Sequence, residues 1–325
     1  MRAAVATRYG LPDGLEMRDV PQPQPAKGEV LVAVHATTVT RSDCGFLAPH
    51  PSLLRLFYGW SRPRQPILGM DFAGTVEAIG EGVSAFHPGD RVFGMLRWHE
   101  LGAHAEYVCV PEDGYIAPMP ADARFGEVVV CEGAFYAFNS LKALKLKAGD
   151  RILIYGASGA IGTAAVQLAQ IMGARVTAVV ATQHVELLKS LGAERVIDYT
   201  REDFTRIGET FDCMLDAVGK TTYSRSRRLM KPGAVFAGTD IGPWAQTLVL
   251  VMWFAITGSR RVIVAMPRPI AGFAQLMREH IQAGTFCAVI DRRYPLEQIR
   301  EAYAYVETGQ KTGIVVINVR PDEAA

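Results

Sequence analysis

The sequence predicts an α/β protein of two domains, one irregular and rich in β-strands, the other a doubly wound parallel sheet. Three observations carry this. The chain has 325 residues, 49% of them hydrophobic, which is long for one core. Its first third is a succession of short apolar runs split by Gly and Pro. From near Phe125 strands alternate with helices, the order that builds a parallel sheet.

In the first region the runs Glu29–His35, Phe72–Ile79, Asp90–Phe93 and Ala105–Val110 read as strands. Turn signals at Pro12-Asp13-Gly14 and Pro88-Gly89-Asp90 punctuate the region. The stretch Phe46–Pro66 packs aromatics, Arg and Pro into a loop, either a surface excursion or a lid over a substrate. Six strands follow, at Arg151–Tyr155, Arg175–Val180, Arg195–Tyr199, Phe211–Asp216, Ala234–Ala237 and Arg261–Ala265. Helices are expected at Thr163–Met172 and Val185–Ser190. In the tail, helices near Pro269–Ala283 and Leu296–Thr308 precede a strand at Gly313–Val319. This tail is expected to complete the first domain, giving domains of 1–124 with 268–325, and 125–267.

Composition narrows the function classes. Charged residues are 21% and the net charge is +1, without the basic excess of a nucleic-acid or anionic-membrane surface. The most apolar run, Leu248–Ile256, has nine residues, whereas a membrane span needs roughly 20. The opening MRAAVATRYG has no apolar leader core. The five cysteines form no CxxC pair, so reduced thiols in a cytosol are expected.

The first chemical motif follows the strand Arg151–Tyr155. In Gly156-Ala157-Ser158-Gly159-Ala160-Ile161-Gly162, Gly159 and Gly162 hold the second and third glycine positions of GxGxxG, and Ala157 replaces the first. Gly159 lets the backbone approach a pyrophosphate, and Gly162 lets the helix pack on the strand. The helix N-terminus adds unpaired N–H groups, and the strand–loop–helix context makes the motif specific. The end of the next strand separates NAD from NADP. Val179–His184 contains no acid to grip a ribose diol. Thr182 and His184 offer donors for a 2′-phosphate, with Lys189 one turn on and Tyr199 ending the following strand. NADPH is the expected cofactor.

The runs Leu68–Val83, Pro88–Gly94, Ala103–Val108 and Asp216-Ala217-Val218-Gly219, with the glycine loop, resemble the medium-chain dehydrogenase/reductase superfamily. Within it the chain is most similar to the zinc-free quinone reductase branch. The resemblance implies a GroES-like catalytic domain, discontinuous in sequence, and a Rossmann domain, with nicotinamide and substrate in the cleft between them. It implies reduction of a quinone or an α,β-unsaturated carbonyl by NADPH. Zinc-dependent members carry Cys where this chain has Thr40, and His where it has Met70; only Cys131 matches a ligand position. A neutral hydroxyl and a thioether are poor zinc partners, so no metal is expected. Without a Lewis acid, reduction of a conjugated carbonyl is the easier reaction, because charge spreads onto an oxygen that hydrogen-bond donors can stabilise.

The resemblance also assigns candidate roles. Arg41 pairs with the cofactor pyrophosphate, unless it forms only a surface ion pair. Ser42 stands at the proton-relay position, unless it makes a local turn bond. Asp43 orients Arg41 or the backbone. Met70 lines the cleft. Tyr58 and Trp60 stack on a flat quinone or simply pack. Val218 and Gly219 form part of the cofactor wall, and Lys311 with Gly313 approaches the nicotinamide. His99 and His104 are read as solvated or satisfied histidines. Two other functions remain open: a zinc-free alcohol or ketone dehydrogenase, and a non-enzymatic NADPH-binding protein like the lens crystallins of this family. A homodimer is expected along Arg261–Ala265, since so apolar an edge strand is a hazard when bare, with Leu248–Ile256 nearby.

Overall fold

An eleven-residue strand with nine residues buried is the centre of the first unit, which comprises Met1–Glu132 and Ala271–Ala325. The computed structural model describes residues 1–49, 55–240, 250–254 and 261–321. Strands β1 (Arg2–Ala6) and β2 (Leu15–Asp19) form an antiparallel pair. The larger sheet contains β3 (Glu29–Val39), β4 (Asp71–Ile79), β5 (Arg91–Met95), β6 (Tyr107–Pro111) and β7 (Tyr115–Pro118). From the tail it gains β14 (Ile290–Pro295) and β15 (Ile314–Asn318). The order is β14-β15-β3-β4-β5-β7, with β6 also paired to β3.

Burial on both sides explains why β3 does not alternate cleanly. Val30, Val32 and Val34 pack with Phe72, Val76 and Val92. Val39 belongs to a second cluster with Leu15, Leu47, Tyr303 and Val315. The helix Ile299–Glu307 buries Ile299, Ala302, Tyr303 and Val306 in that cluster, the spacing of a single helical face. Pairing of β15 with β3, Val315 opposite Val39, is how the tail completes this unit. Strand β14 is not legible in sequence, because Asp291, Arg292 and Arg293 break any apolar pattern on a half-exposed edge.

The contacts divide the chain at Glu132 and at Ile270, later than the composition change at 124 and at 267. At the first boundary Phe125 stays with the first unit, its ring stacked on His35 at 4.1 Å beneath the Arg91 guanidinium at 4.8 Å. This stack ties the short helix Phe125–Val128 to β3. In the insert, residues 50–54 lie outside the described residues. Beyond them a short helix, Arg55–Tyr58, sets Tyr58 edge-on to Phe46 at 5.2 Å.

The second unit, Gly133–Ile270, is the parallel sheet. Its strands are β8 (Arg151–Tyr155), β9 (Arg175–Val180), β10 (Arg195–Asp198), β11 (Phe211–Asp216), β12 (Met230–Gly238) and β13 (Val262–Val264). The order β10-β9-β8-β11-β12-β13 reverses direction between β8 and β11, the switch point where doubly wound sheets bind ligands. Leu153, Val179, Ile197, Met214, Phe236 and Val262 share one core cluster. The helix after β8 spans Ala160–Ile171, starting inside the glycine loop rather than at Thr163. Of the run Leu248–Ile256, residues 248, 249, 255 and 256 lie outside the described residues. Among the described residues no helix is long and apolar enough to cross a membrane.

The β5–β7 pairing depends on a missing side chain. A Cβ on Gly94 would overlap the Tyr115 carbonyl oxygen. Gly94→Ala should therefore lose about 1–3 kcal/mol of stability, read as a lower urea midpoint at unchanged slope. An unchanged midpoint would show that the two strands separate without cost.

Candidate active site

The glycine loop of the second unit is shaped by what its backbone must avoid. Gly156 has φ +73°, and a Cβ there would run into the Val218 side chain. A Cβ on Gly162 would meet the Gly156 oxygen, and Ala157 Cα at 2.6 Å. Gly159 differs: nothing lies closer than 3.9 Å to its Cβ position. It caps the helix, and no side chain occupies the cap. The N–H groups at the start of this helix therefore face an open approach beside Ser158, Ala160 and Ile161, which are partly exposed. A pyrophosphate fits this cradle. Its wall is fixed by Asp216, which accepts from the backbone N–H of Val218 (3.1 Å), Gly219 (2.9 Å) and Thr221 (2.9 Å). Gly219 takes φ +68° to close that turn.

Beyond β9 the structure adds a residue that the sequence reading missed. Thr182 Oγ1 donates to Asp198 Oδ2 at 2.5 Å and lies 2.9 Å from Thr200 Oγ1. Asp198 also accepts from Thr200 N and Oγ1 and lies 3.3 Å from Arg201 Nε. These hydrogen bonds, that from Thr182 foremost, hold its carboxyl below the usual range. The turn Val179–His184 lacks an acid, but parallel pairing sets Asp198 opposite Val180, so the carboxylate arrives from the next strand. The register of adjacent strand ends is the signal that would have found it. Tyr199 is half-exposed and stacks on Tyr155 at 6.4 Å. Lys189 is paired with Glu186 at 2.7 Å. His184 is partly exposed.

In the first unit the helix Arg41–Leu47 opens with a capping box. Thr40 N donates to Asp43 Oδ2 at 2.8 Å, and Asp43 N donates to Thr40 Oγ1 at 3.3 Å. Asp43 also accepts from Gly69 N at 3.1 Å and is fully buried. It orients backbone and does not touch Arg41, which instead pairs with Glu307 at 2.8 Å on the surface. Ser42 Oγ donates to Glu132 Oε1 at 2.6 Å. Glu132 N donates to Asp71 Oδ1 at 2.8 Å, and Thr38 Oγ1 donates to Asp71 Oδ2 at 2.9 Å. Both acids are buried. Glu132 and Asp71 were not read from sequence. The signal was present: each is an acid inside an apolar run, Met70-Asp71-Phe72 and Cys131-Glu132-Gly133.

Burial sets the protonation of this cluster. It pushes Glu132 up to about 7. It pushes Asp71 to about 8, with the Glu132 charge adding to the effect. It pulls Lys311 down to about 8. Lys311 Nζ donates to the Gly313 carbonyl at 2.5 Å. His104 is satisfied, lying between Thr38 O at 2.8 Å and Tyr303 Oη at 3.2 Å. His99 is on the surface beside Glu100. Met70 is buried, whereas Trp60 is 80% exposed. The Cys131 thiol is buried and held well above its usual range by desolvation. Among the described residues no three His, Cys, Asp or Glu side chains are grouped to hold a metal ion.

A pH dependence of stability follows. Glu132 and Asp71 bind protons more tightly folded than unfolded, so their contribution falls as pH rises from about 4.5 to about 8. Lys311 binds its proton less tightly when folded, so its contribution rises with pH above about 8. Urea midpoints should decline across the first window, and Glu132→Gln should flatten part of that decline. A variant with the wild-type slope would mean that Glu132 stays ionised throughout.

Comparison with known proteins places this architecture. Residues 26–121 match the family described as alcohol dehydrogenase GroES-like domain, and residues 191–317 that described as zinc-binding dehydrogenase. A chloroplastic quinone oxidoreductase of Triphysaria versicolor is 32% identical, covering 98% of each chain. A 2-methylene-furan-3-one reductase of Solanum lycopersicum is 30% identical over 99% of this chain and 80% of its own length. The solved quinone oxidoreductase from Coxiella burnetii superposes with a TM-score of 0.86 at 26% identity, covering 98% of this chain and 99% of that one. The chain belongs to the medium-chain dehydrogenase/reductase superfamily, in its quinone-oxidoreductase-like branch.

Proposed function

We propose that the protein is an oxidoreductase that reduces a quinone or an α,β-unsaturated carbonyl with NADPH, without zinc. The observation that carries this reading is the pairing of Ser42 with the buried Glu132, in a unit where Thr40 and Met70 replace two metal ligands. Relatives named as quinone, alkenal and enoyl reductases support it. When bound, NADPH supplies the hydride. Gly156, Ser158, Gly159, Ala160, Ile161 and Gly162 would hold its pyrophosphate, with Val218 and Gly219 as the wall. Ser42 donates to the substrate oxygen as charge develops there, and Lys311 adds positive potential. Arg41 is free to exchange its exposed Glu307 partner for a phosphate at little cost. Tyr58, Trp60 and Met70 are the candidate substrate contacts. A cytosolic setting suits five cysteines that form no disulfide.

The preference for NADPH rests on His184 and Tyr199, and on the exposed Arg201 exchanging its Asp198 partner for a 2′-phosphate, which the Asp198 carboxylate opposes. Thr182 is a weaker contact than its position suggests, because its proton is committed to Asp198. Steady-state oxidation of NADPH and NADH should be compared with a quinone, an enone and a simple ketone, with and without chelator. The enone or quinone should turn over with NADPH, and chelation should change nothing. His184→Ala should weaken NADPH by roughly 1.5–3 kcal/mol while sparing NADH. Equal use of both cofactors, or about one zinc per chain by metal analysis, would remove this reading. Turnover of the ketone alone would favour an alcohol dehydrogenase, and tight NADPH binding without turnover a sensor.

We also propose a homodimer along β13. Ile263 and Val264 are only partly buried, on a strand paired on one side to β12. Val264→Lys should halve the mass measured in solution while keeping NADPH binding. Val262 is a poorer probe, because its side chain belongs to the core. A monomeric mass for the unmodified protein at micromolar concentration would exclude the dimer.

A further inference from the structure

Ser42 is a poor acid by itself. A hydroxyl that gives its proton to a substrate needs a stronger acid behind it. The group behind it here is Glu132, at 2.6 Å. Glu132 is 4% exposed, and its position is fixed through its own N–H by Asp71. Asp43 faces it from the helix Arg41–Leu47, Asp71 from β4, Thr40 from the helix cap, and Lys311 from the segment before β15. The only cation in that set has its ammonium bonded to the Gly313 carbonyl. A carboxylate in such a place is costly, whereas a neutral acid hydrogen-bonded to a hydroxyl is not.

We propose, resting on the reductase reading above, that Glu132 is the proton store behind Ser42, a positioning residue that reloads the serine as the serine protonates the reduced substrate. With hydride delivered to the conjugated carbon, an electron pair moves onto the substrate oxygen. The Ser42 O–H bond breaks, and its proton bonds to that oxygen. The Glu132 O–H bond breaks with it, and that proton bonds to Ser42 Oγ. The serine ends unchanged and Glu132 ends as a carboxylate, reprotonated by solvent before the next turnover. The short bond between them reverses: the carboxyl donates before the transfer, and the serine donates after it.

The test uses the full chain loaded with NADPH, with methyl vinyl ketone and p-benzoquinone as probes. Glu132→Gln keeps the size and the hydrogen bond to Ser42 but has no acidic proton. Its kcat should fall roughly 10²-fold with KM little changed, and the solvent deuterium effect on kcat should grow. NADPH affinity by fluorescence titration should stay within about twofold. Glu132→Asp should restore part of kcat. Ser42→Ala combined with Glu132→Gln should be no slower than the slower single variant, as for groups that act as one unit. Wild-type kcat in Glu132→Gln, losses that multiply in the double variant, or a matching loss of NADPH affinity would each overturn the proposal. If the wild-type protein reduces neither probe, the reductase reading fails, and infrared spectroscopy judges the store alone. A protonated-carboxyl band at neutral pH that Glu132→Gln abolishes sustains it, and identical spectra overturn it.

Discussion

The first unit is organised around one constraint: three carboxyl groups, Asp43, Asp71 and Glu132, must sit almost out of water. Each is tolerated for a separate reason. Asp43 is surrounded by donors, two from Thr40 and one from Gly69. Asp71 has the Thr38 hydroxyl and the Glu132 N–H. Glu132 has the Ser42 and Thr40 hydroxyls and the field of a lysine. Asp43 serves the backbone, locking the start of one helix to the Gly69 turn, and this fixes where Ser42 points. The strands beneath take their positions from β3, so the acids inherit a rigid floor.

The second unit solves a different problem with fewer polar groups. Its cradle depends on absent atoms: Gly156 yields to Val218, Gly162 yields to the loop backbone, and Gly159 leaves the approach open. Among the described residues the one buried acid there, Asp216, is spent on three backbone N–H groups. The two units thus rely on different kinds of group, buried titratable side chains in one and bare backbone in the other.

Most of the architecture was legible because it follows from local rules. The apolar runs at Arg151–Tyr155 and Arg175–Val180, the helix between them and the glycine loop have fixed spacings that no tertiary contact overrides. The helix near Leu296–Thr308 was equally readable. What was not legible came from pairings between distant segments. Strand β14 exists only because β15 offers it an edge. Asp198 reaches Thr182 only because β10 lies beside β9. Glu132 meets Ser42 across a long stretch of sequence, and neither residue's neighbours announce the other. Arg41 shows the converse. Its surface partner Glu307 lies on a helix whose exposed face carried no distinguishing pattern.

The seating of β15 against β3 bears on the order in which the chain is made. Residues 315–318 pair with residues 36–39, so the first unit is left with an open edge and an incomplete core until those residues have been made. The second unit is one uninterrupted stretch, 133–270, and all its strands have left the ribosome before the tail appears. Domains fold as units while the chain grows, so the parallel sheet is in place first. The waiting partner presents β3 with an unpaired edge rich in Val and Thr during that interval, which is the state most exposed to capture by another nascent chain.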